Sequence, residues 1–281
     1  MGALPDPYAS CLPQLLAAAL AEDLPDLTAP AVFEAGRRLH AVLRVKAAGV
    51  ICGLPAFAAT FELLDGASEV ILHSADGDHV QPGLVAAEVR ADACALLAGE
   101  RTALNFVCKL SGIATLTAAY VDAVAGTDCQ VLDTRKTTPG WRRLEKHAVR
   151  AGGGTNHRMG LYDAAMLKDN HIDAAGSISR AVDLVRARHG RQVPLVVECR
   201  TLGHVREALA CGVGHIMLDN MDLAAMREAV QEVAGRARVE ASGGVRLDTA
   251  RVIASTGVDY ISVGALTHSA PALDLSLKVV P

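Results

Sequence analysis

The chain has 281 residues, of which 51% are hydrophobic and 21% charged, with a formal net charge of −4. That length buries a full core, in one large domain or two smaller ones. The lack of a basic excess argues against nucleic acid or an anionic membrane surface as a partner, though a local basic cluster can still hold a small anion.

The first predicted element is an apolar helical pattern near residues 12–21. Strand-like segments follow at 39–46, 70–73 and 84–91, and then a helix from about Ala93 to Leu110. Helices and strands are mixed here without regular alternation, which predicts an α+β domain over residues 1–110. Residues 111–270 instead carry a beat. Short apolar runs at 130–133, 164–168, 195–198, 215–219, 239–242 and 260–264 end in a polar residue or glycine, and the last four recur about every twenty residues. Helices fit between them at 178–188, 202–210, 223–233 and 247–255. Thr201, Asp222 and Asp248 are placed to cap their starts, and Gly190, Gly212, Gly235 and Gly257 to stop them. This alternation predicts a parallel sheet. The runs supply six strands and allow a seventh, where a complete (β/α) barrel has about eight, so the expected form is an incomplete or distorted barrel. An open doubly wound sheet is the alternative, weakened because no G-x-G-x-x-G follows the first strand.

Aromatic residues make up only 3%, so the core is built from Ala, Val, Leu and Ile. The seven cysteines are odd in number and include no C-x-x-C pair, which fits free thiols in a reducing compartment. The N-terminus lacks the basic start and apolar run of a signal peptide, and no uninterrupted apolar stretch approaches the ~20 residues of a membrane span, so a cytoplasmic protein is expected.

In a barrel the chemistry sits where strands run out into the following loops. The residues at those ends are Asp133, Thr134, Arg135 and Lys136, then Lys168 to His171, Glu198, Asp219 and Asn220, Ser242-Gly243-Gly244, and Val263-Gly264-Ala265. The glycine-rich stretch 152–154 leads to His157 and Arg158, and Arg101 lies upstream. Singly, each is ordinary: an Arg-Lys pair is usually a solvated face, an acid a cap, a histidine part of the core. Together they place several cations, two acids and glycine turns at one end of a sheet. Arginines hold carboxylates and phosphates in a fork, backbone N–H groups of glycine turns take phosphate, and Mg²⁺ reconciles acids with a polyanion. The pattern predicts a site for a sugar phosphate or pyrophosphate with Mg²⁺ and a carboxylated co-substrate. Lys168 as a Schiff-base lysine is the competing chemistry. No zinc-ligand spacing and no G-x-x-x-x-G-K-[ST] is present.

The stretches Glu100-Arg-Thr-Ala-Leu-Asn105, Asp133-Thr-Arg-Lys-Thr-Thr-Pro-Gly140, Asn156-His-Arg158, Leu167-Lys-Asp-Asn-His-Ile172, Glu240-Ala-Ser-Gly-Gly244 and the run from Val258 to Asp274 resemble quinolinate phosphoribosyltransferase. The resemblance covers residues 100–274. It implies an N-terminal α/β sandwich, a seven-stranded incomplete barrel, and a return of residues 271–281 to the first domain. It also implies a homodimer whose sites lie at the subunit boundary, with Arg101 donated by the neighbouring chain. On this resemblance Arg101, Arg135, His157, Arg158 and Lys168 hold quinolinate. Thr134 is a further substrate-binding residue. Lys136, Glu198, Asp219, the 242–244 turn and the 263–265 turn hold phosphoribosyl pyrophosphate. Glu198 and Asp219 also serve its Mg²⁺, Lys136, Glu198 and Asp219 are the catalytic set, and no organic cofactor is required. Val196 stands where many relatives carry a further acid, and Cys108-Lys109 where a Gln-Arg-like pair is common.

Overall fold

The structure is a computed structural model that describes residues 7–280. The elements, in chain order, begin with α1 (Pro7–Asp23), α2 (Ala29–Val32), β1 (Arg38–Val45), β2 (Gly49–Val50), α3 (Leu54–Leu64), β3 (Glu69–Leu72), β4 (His79–Val80), β5 (Val85–Asp92) and α4 (Ala93–Val124). There follow β6 (Gln130–Leu132), α5 (Arg142–Ala151), β7 (Ala165–Leu167), α6 (Asp169–Ala175), α7 (Ile178–His189), β8 (Leu195–Cys199), α8 (Leu202–Ala210), β9 (His215–Asp219), α9 (Leu223–Val233), β10 (Arg238–Ser242), α10 (Leu247–Ala254) and β11 (Tyr260–Ser262). The chain closes with α11 (Ala265–His268) and β12 (Leu275–Val280). Two compact units emerge. The first holds the described residues of Met1–Ala118, Thr137–Gly153 and Leu266–Pro281; the second holds Ala119–Lys136 and Gly154–Ala265.

The first unit is built on an antiparallel sheet of order β12-β1-β5-β3. The C-terminal strand β12 pairs with β1 from His40↔Val280 to Val45↔Leu275, so the end of the chain completes the N-terminal sheet. Leu43, Val45, Val89, Leu275 and Leu277 on the strands meet Phe57 and Phe61 of α3 and Leu96 and Val107 of α4 in one buried cluster. Burying side chains of this size stabilises the fold by about 1.5–3 kcal/mol each.

Helix α4 continues well past the expected stop near Leu110, to Val124. Gly112 lies in the stretch beyond it. It sits mid-helix because a side chain there would meet the Pro271 carbonyl oxygen at 2.0 Å. A glycine that normally weakens a helix is needed here for close backbone approach. By length and composition α4 could cross a membrane, with a mean hydropathy of 1.3 over its most apolar window, which the absence of an uninterrupted apolar stretch had not led us to expect. Its apolar side is taken up instead by core contacts of Leu96, Ala103, Leu104 and Val107.

Residues 137–153, read as part of the barrel, group with the first unit. Their helix α5 buries Leu144, Ala148 and Val149, and it is preceded by Trp141, which stacks on Phe106 of α4 with ring centroids 4.3 Å apart. At its end Gly152 lies against Ala114 of α4, where an added side chain would come within 2.3 Å of the carbonyl oxygen.

The second unit contains a parallel sheet of order β6-β11-β10-β9-β8-β7, its strands alternating with α7 to α10 as the sequence pattern predicts. Thr201 and Asp222 cap α8 and α9 by accepting from His204 N and Ala225 N. Asp248 does not cap α10: it lies in the first turn, Arg246 occupies the cap position, and Thr249 Oγ1 accepts from Arg246 N. The expected seven strands reduce to six plus a single bridge, Leu132↔Thr155, at the outer edge of β6. Gly153 turns the chain so sharply that only one residue aligns before Asn156 and His157 leave the sheet.

The sheet is strongly curled. From Thr155 to β9 is four strand spacings, about 19 Å if the sheet were flat. Yet the ring of His157 lies 6.1 Å from that of His215 on β9. At the other edge, β7 pairs only with β8 among the described residues. The barrel therefore has an open seam between Thr155 and β7, and within the connection that links them Arg158 Nη1 donates to the Ala164 carbonyl at 2.8 Å.

Candidate active site

Register sets which side chains share the interior. Glu198, Met217, Glu240 and Tyr260 align in one row across β8, β9, β10 and β11. Side chains alternate along a strand, so Asp219, Ser242 and Ser262 form the next row on the same face, toward the C-terminal ends. Parallel strands thus bring Glu198, Asp219 and the 242–244 turn to one end of the second unit, as their positions in sequence predict.

At the end of β6, Asp133 is fully buried. It accepts from Asn156 Nδ2 at 2.6 Å and from the His157 backbone N–H at 2.9 Å. This carboxylate ties the 155–158 segment to β6 and so fixes where Arg158 leaves the chain. Beyond it, Thr134 Oγ1 accepts from Lys136 N at 3.1 Å, and Arg135 and Lys136 are exposed.

Arg158 is partly buried, with Nη2 3.6 Å from Met166 Sδ in addition to the Ala164 contact. Burial and the neighbouring positive charge of Arg135 both press its pKa downward. Two like charges in a partly desolvated site are relieved by an anion. His157 Nδ1 accepts from the Arg158 backbone N–H at 2.7 Å, while Nε2 faces Glu240 Oε2 at 3.3 Å. Both ring nitrogens of this expected quinolinate contact are directed at protein groups.

Lys168, at the end of β7, pairs with Glu198 Oε2 at 3.5 Å and has half of its side chain exposed. An exposed lysine matched to a carboxylate is a poor candidate for the desolvated amine of a Schiff base. Asp219 Oδ1 accepts from Asn220 Nδ2 at 3.0 Å. Asn220 and Gly243 both adopt left-handed conformations, with φ of 53° and 92°. The Asn220 N–H donates to the Ser242 carbonyl at 2.9 Å, locking the two turns together. Val263 N donates to the Leu132 carbonyl, which anchors the 263–265 turn next to β6. Arg101 is exposed on α4 in the first unit.

Glu198 and Asp219 offer the carboxylate oxygens that Mg²⁺ prefers, and they lie at the ends of adjacent strands. Elsewhere among the described residues, Cys52, Asp76 and His147 bring possible ligand atoms within 4.8 Å of one another in the first unit. A thiol does not suit Mg²⁺. Asp76 is moreover already served by donors: Gly53 N at 2.9 Å, Leu54 N at 3.1 Å, His147 Nε2 at 3.0 Å, Cys52 Sγ at 3.4 Å and Tyr8 Oη. Burial opposes ionisation of Asp76, but His147 and Tyr8 outweigh it and hold the carboxyl below its usual range. This group ties α1, α3 and α5 together.

Three polar residues of the interior escaped the sequence reading as participants: Asp133 as an anchor, and Glu240 with His215. Glu240 is fully buried and lies two residues before Ser242, on the same face. An ionisable residue inside an otherwise apolar parallel strand is the signal that marks it.

Residues 113–278 match the family described as quinolinate phosphoribosyl transferase, C-terminal domain, and residues 26–111 match the corresponding N-terminal domain. The chain is 44% identical over 254 residues to a probable nicotinate-nucleotide pyrophosphorylase [carboxylating] of Bacillus subtilis, covering 90% of this chain and 88% of that one. It is 43% identical to the nicotinate-nucleotide pyrophosphorylase [carboxylating] of Mycobacterium leprae, covering 93% and 94%. The crystal structure of NadC from Streptococcus pyogenes superposes over the full length of both chains with a TM-score of 0.93 at 41% identity. The chain belongs to the quinolinate phosphoribosyltransferase family.

Proposed function

We propose that this chain joins quinolinate to phosphoribosyl pyrophosphate, releasing carbon dioxide and pyrophosphate and forming nicotinate mononucleotide, a step in making NAD. The observation that carries the reading is the opposition of charges in the second unit: Arg158 and Arg135 close enough to disturb each other, and Glu198 and Asp219 on adjacent strand ends. Arginines fit the two carboxylates of a pyridine dicarboxylate; acids beside glycine turns fit a ribose and its phosphates.

In this reading Arg135, Arg158, Lys168 and the neighbouring copy's Arg101 hold quinolinate, with His157 beside them. Thr134, Lys136, Ser242, Gly243, Gly244, Val263, Gly264 and Ala265 line the phosphoribosyl pyrophosphate side. Glu198 and Asp219 orient the ribose hydroxyls and would hold Mg²⁺, which when bound neutralises pyrophosphate charge. The ring nitrogen of quinolinate forms a bond to the anomeric carbon as the bond to pyrophosphate breaks. Lys136 stabilises the departing oxygen, and the acids face the positive charge that develops on the ribose. Ribosylation leaves the ring nitrogen cationic. The adjacent C–C bond then breaks, carbon dioxide leaves, its electron pair stays on the ring carbon beside that nitrogen, and a proton from water replaces it. The other carboxylate stays on its arginine. Catalysis is by positioning and preorganised charge.

The competing aldolase-type reading has less support, because Lys168 is exposed and paired. The deciding experiment is pyrophosphate release with Mg²⁺ and phosphoribosyl pyrophosphate. Release that depends on quinolinate and is not supported by nicotinate is expected; release with neither would overturn the reading.

A further inference from the structure

Glu240 has no part in the chemistry above, yet it is a fully buried carboxylate at the centre of the second unit. Its Oε1 accepts from Ser262 Oγ. Its Oε2 lies 2.8 Å from His215 Nε2 and 3.3 Å from His157 Nε2, both off the axis of a straight hydrogen bond. Burial alone would push the Glu240 pKa up, but the two imidazoles outweigh it and hold the carboxyl at about 2. Its neighbours therefore favour the carboxylate form.

One of these neighbours leads to the substrate site. His157 Nδ1 accepts a 2.7 Å hydrogen bond from the backbone N–H of Arg158. A ring nitrogen that accepts carries no proton, so the ring proton belongs on Nε2, the atom facing Glu240. The opposite tautomer would set Nδ1–H against the Arg158 N–H and a lone pair against the carboxylate. Each mismatch is unfavourable, and both are relieved by the same choice.

We propose that Glu240 is a positioning residue for the quinolinate site. By selecting the Nε2–H tautomer of His157, it makes Nδ1 the acceptor that fixes the Arg158 backbone, and so sets the direction in which the Arg158 guanidinium is presented. This rests on the quinolinate reading. It differs from a packing role because it acts through one residue and toward one substrate.

The test is Glu240→Gln, alone and combined with Arg158→Ala, with Michaelis constants measured for both substrates. The expected result for the single variant is a rise of about tenfold in the KM for quinolinate, the size of one lost charge-assisted contact, with the KM for phosphoribosyl pyrophosphate held within about twofold. In the Arg158→Ala background the same change should add less than about twofold, because the residue it acts through is gone. Equal rises in both constants, or an effect undiminished without Arg158, would overturn the proposal. So would a fall in active fraction with both constants unchanged, which is what lost packing alone produces.

Should Glu240→Gln fail to fold, ¹⁵N ring shifts of His157 in the unaltered protein decide the matter. The Nε2–H tautomer is expected, and the Nδ1–H tautomer refutes the proposal. That measurement needs no turnover, so its outcome is separate from the quinolinate reading, which fails instead if the unaltered protein shows no quinolinate-dependent pyrophosphate release.

Discussion

Replacing Gly243 with alanine tests how the turns after β9 and β10 serve Asp219. Gly243 has a φ of 92°, a region that strains any residue with a Cβ by roughly 1–2 kcal/mol. A Cβ built there would lie 2.3 Å from Asn220 Oδ1 and 2.6 Å from its Cγ. The amide must swing away. That movement costs little in packing, because Asn220 is exposed, but the same amide donates to Asp219. Losing an exposed hydrogen bond of about 1 kcal/mol is a factor of about five in an equilibrium constant. Gly243→Ala should thus raise the KM for phosphoribosyl pyrophosphate about fivefold and leave that for quinolinate unchanged. Backbone strain of this size should lower the melting temperature by about 2–6 °C. Initial-rate kinetics and a thermal melt measure both. A melting point that falls as expected while the KM for phosphoribosyl pyrophosphate stays constant would refute the link between the Gly243 turn and Asp219.

Three further outcomes are expected. Arg158→Ala should lower kcat/KM for quinolinate roughly ten- to a hundredfold, the loss of a charge-assisted contact of about 1.5–3 kcal/mol; mixed with an Arg101→Ala protein it should recover about a quarter of the original activity if the site is shared by two copies, since half of random dimers then carry one intact site. Glu240 should contribute acid-dependent stability. Its folded pKa of about 2 lies below the ~4.3 of an unfolded glutamate, so the contribution, about 3 kcal/mol, is complete above pH ~4.3 and lost as the pH falls toward 2. The stability gap between the unaltered protein and Glu240→Gln in urea melts should close over that window; a gap that stays constant through it would contradict the assignment. Asp76→Ala should destabilise the first unit by about 3–5 kcal/mol, because two α3 N–H groups, Tyr8 and His147 lose their shared acceptor; urea unfolding monitored at Trp141, which stacks on Phe106 of that unit, reads this out.

Much of the second unit was legible because its signals are local. The apolar runs of β9 and β10 end where their strands end, those of β8 and β11 within one or two residues of it, and Thr201 and Asp222 cap their helices through hydrogen bonds three residues away. That Glu198, Asp219 and the 242–244 turn lie at strand ends followed from parallel topology alone. Signals that depend on distant partners were not legible. The need for glycine at 112, inside α4, comes from Pro271, which lies against it. Helix α5 reads as part of the barrel until Trp141 meets Phe106, thirty-five positions earlier in the chain. The ion pair of Glu240 with His157 depends on curling of the sheet, which no local pattern shows. The identity of the acceptor was never in the charge pattern; it came with the long motifs around Asp133 and Lys168.

The open seam in the barrel has a consequence for how this unit moves. In a closed barrel every strand is held on both sides by backbone hydrogen bonds, and the circumference is fixed. Here one junction has no backbone ladder among the described residues; the 156–164 connection leads across it, with Arg158 donating to the Ala164 carbonyl just ahead of β7. Backbone groups along the outer edge of β7 have no ladder partner among the described residues, so their amides should exchange with solvent sooner than those of β9 and β10. Arg158 is also one of the residues proposed to hold quinolinate. On that proposal, occupancy of the site and the junction beside β7 involve the same guanidinium, and amide exchange along β7 with and without quinolinate becomes a gauge of what Arg158 is holding.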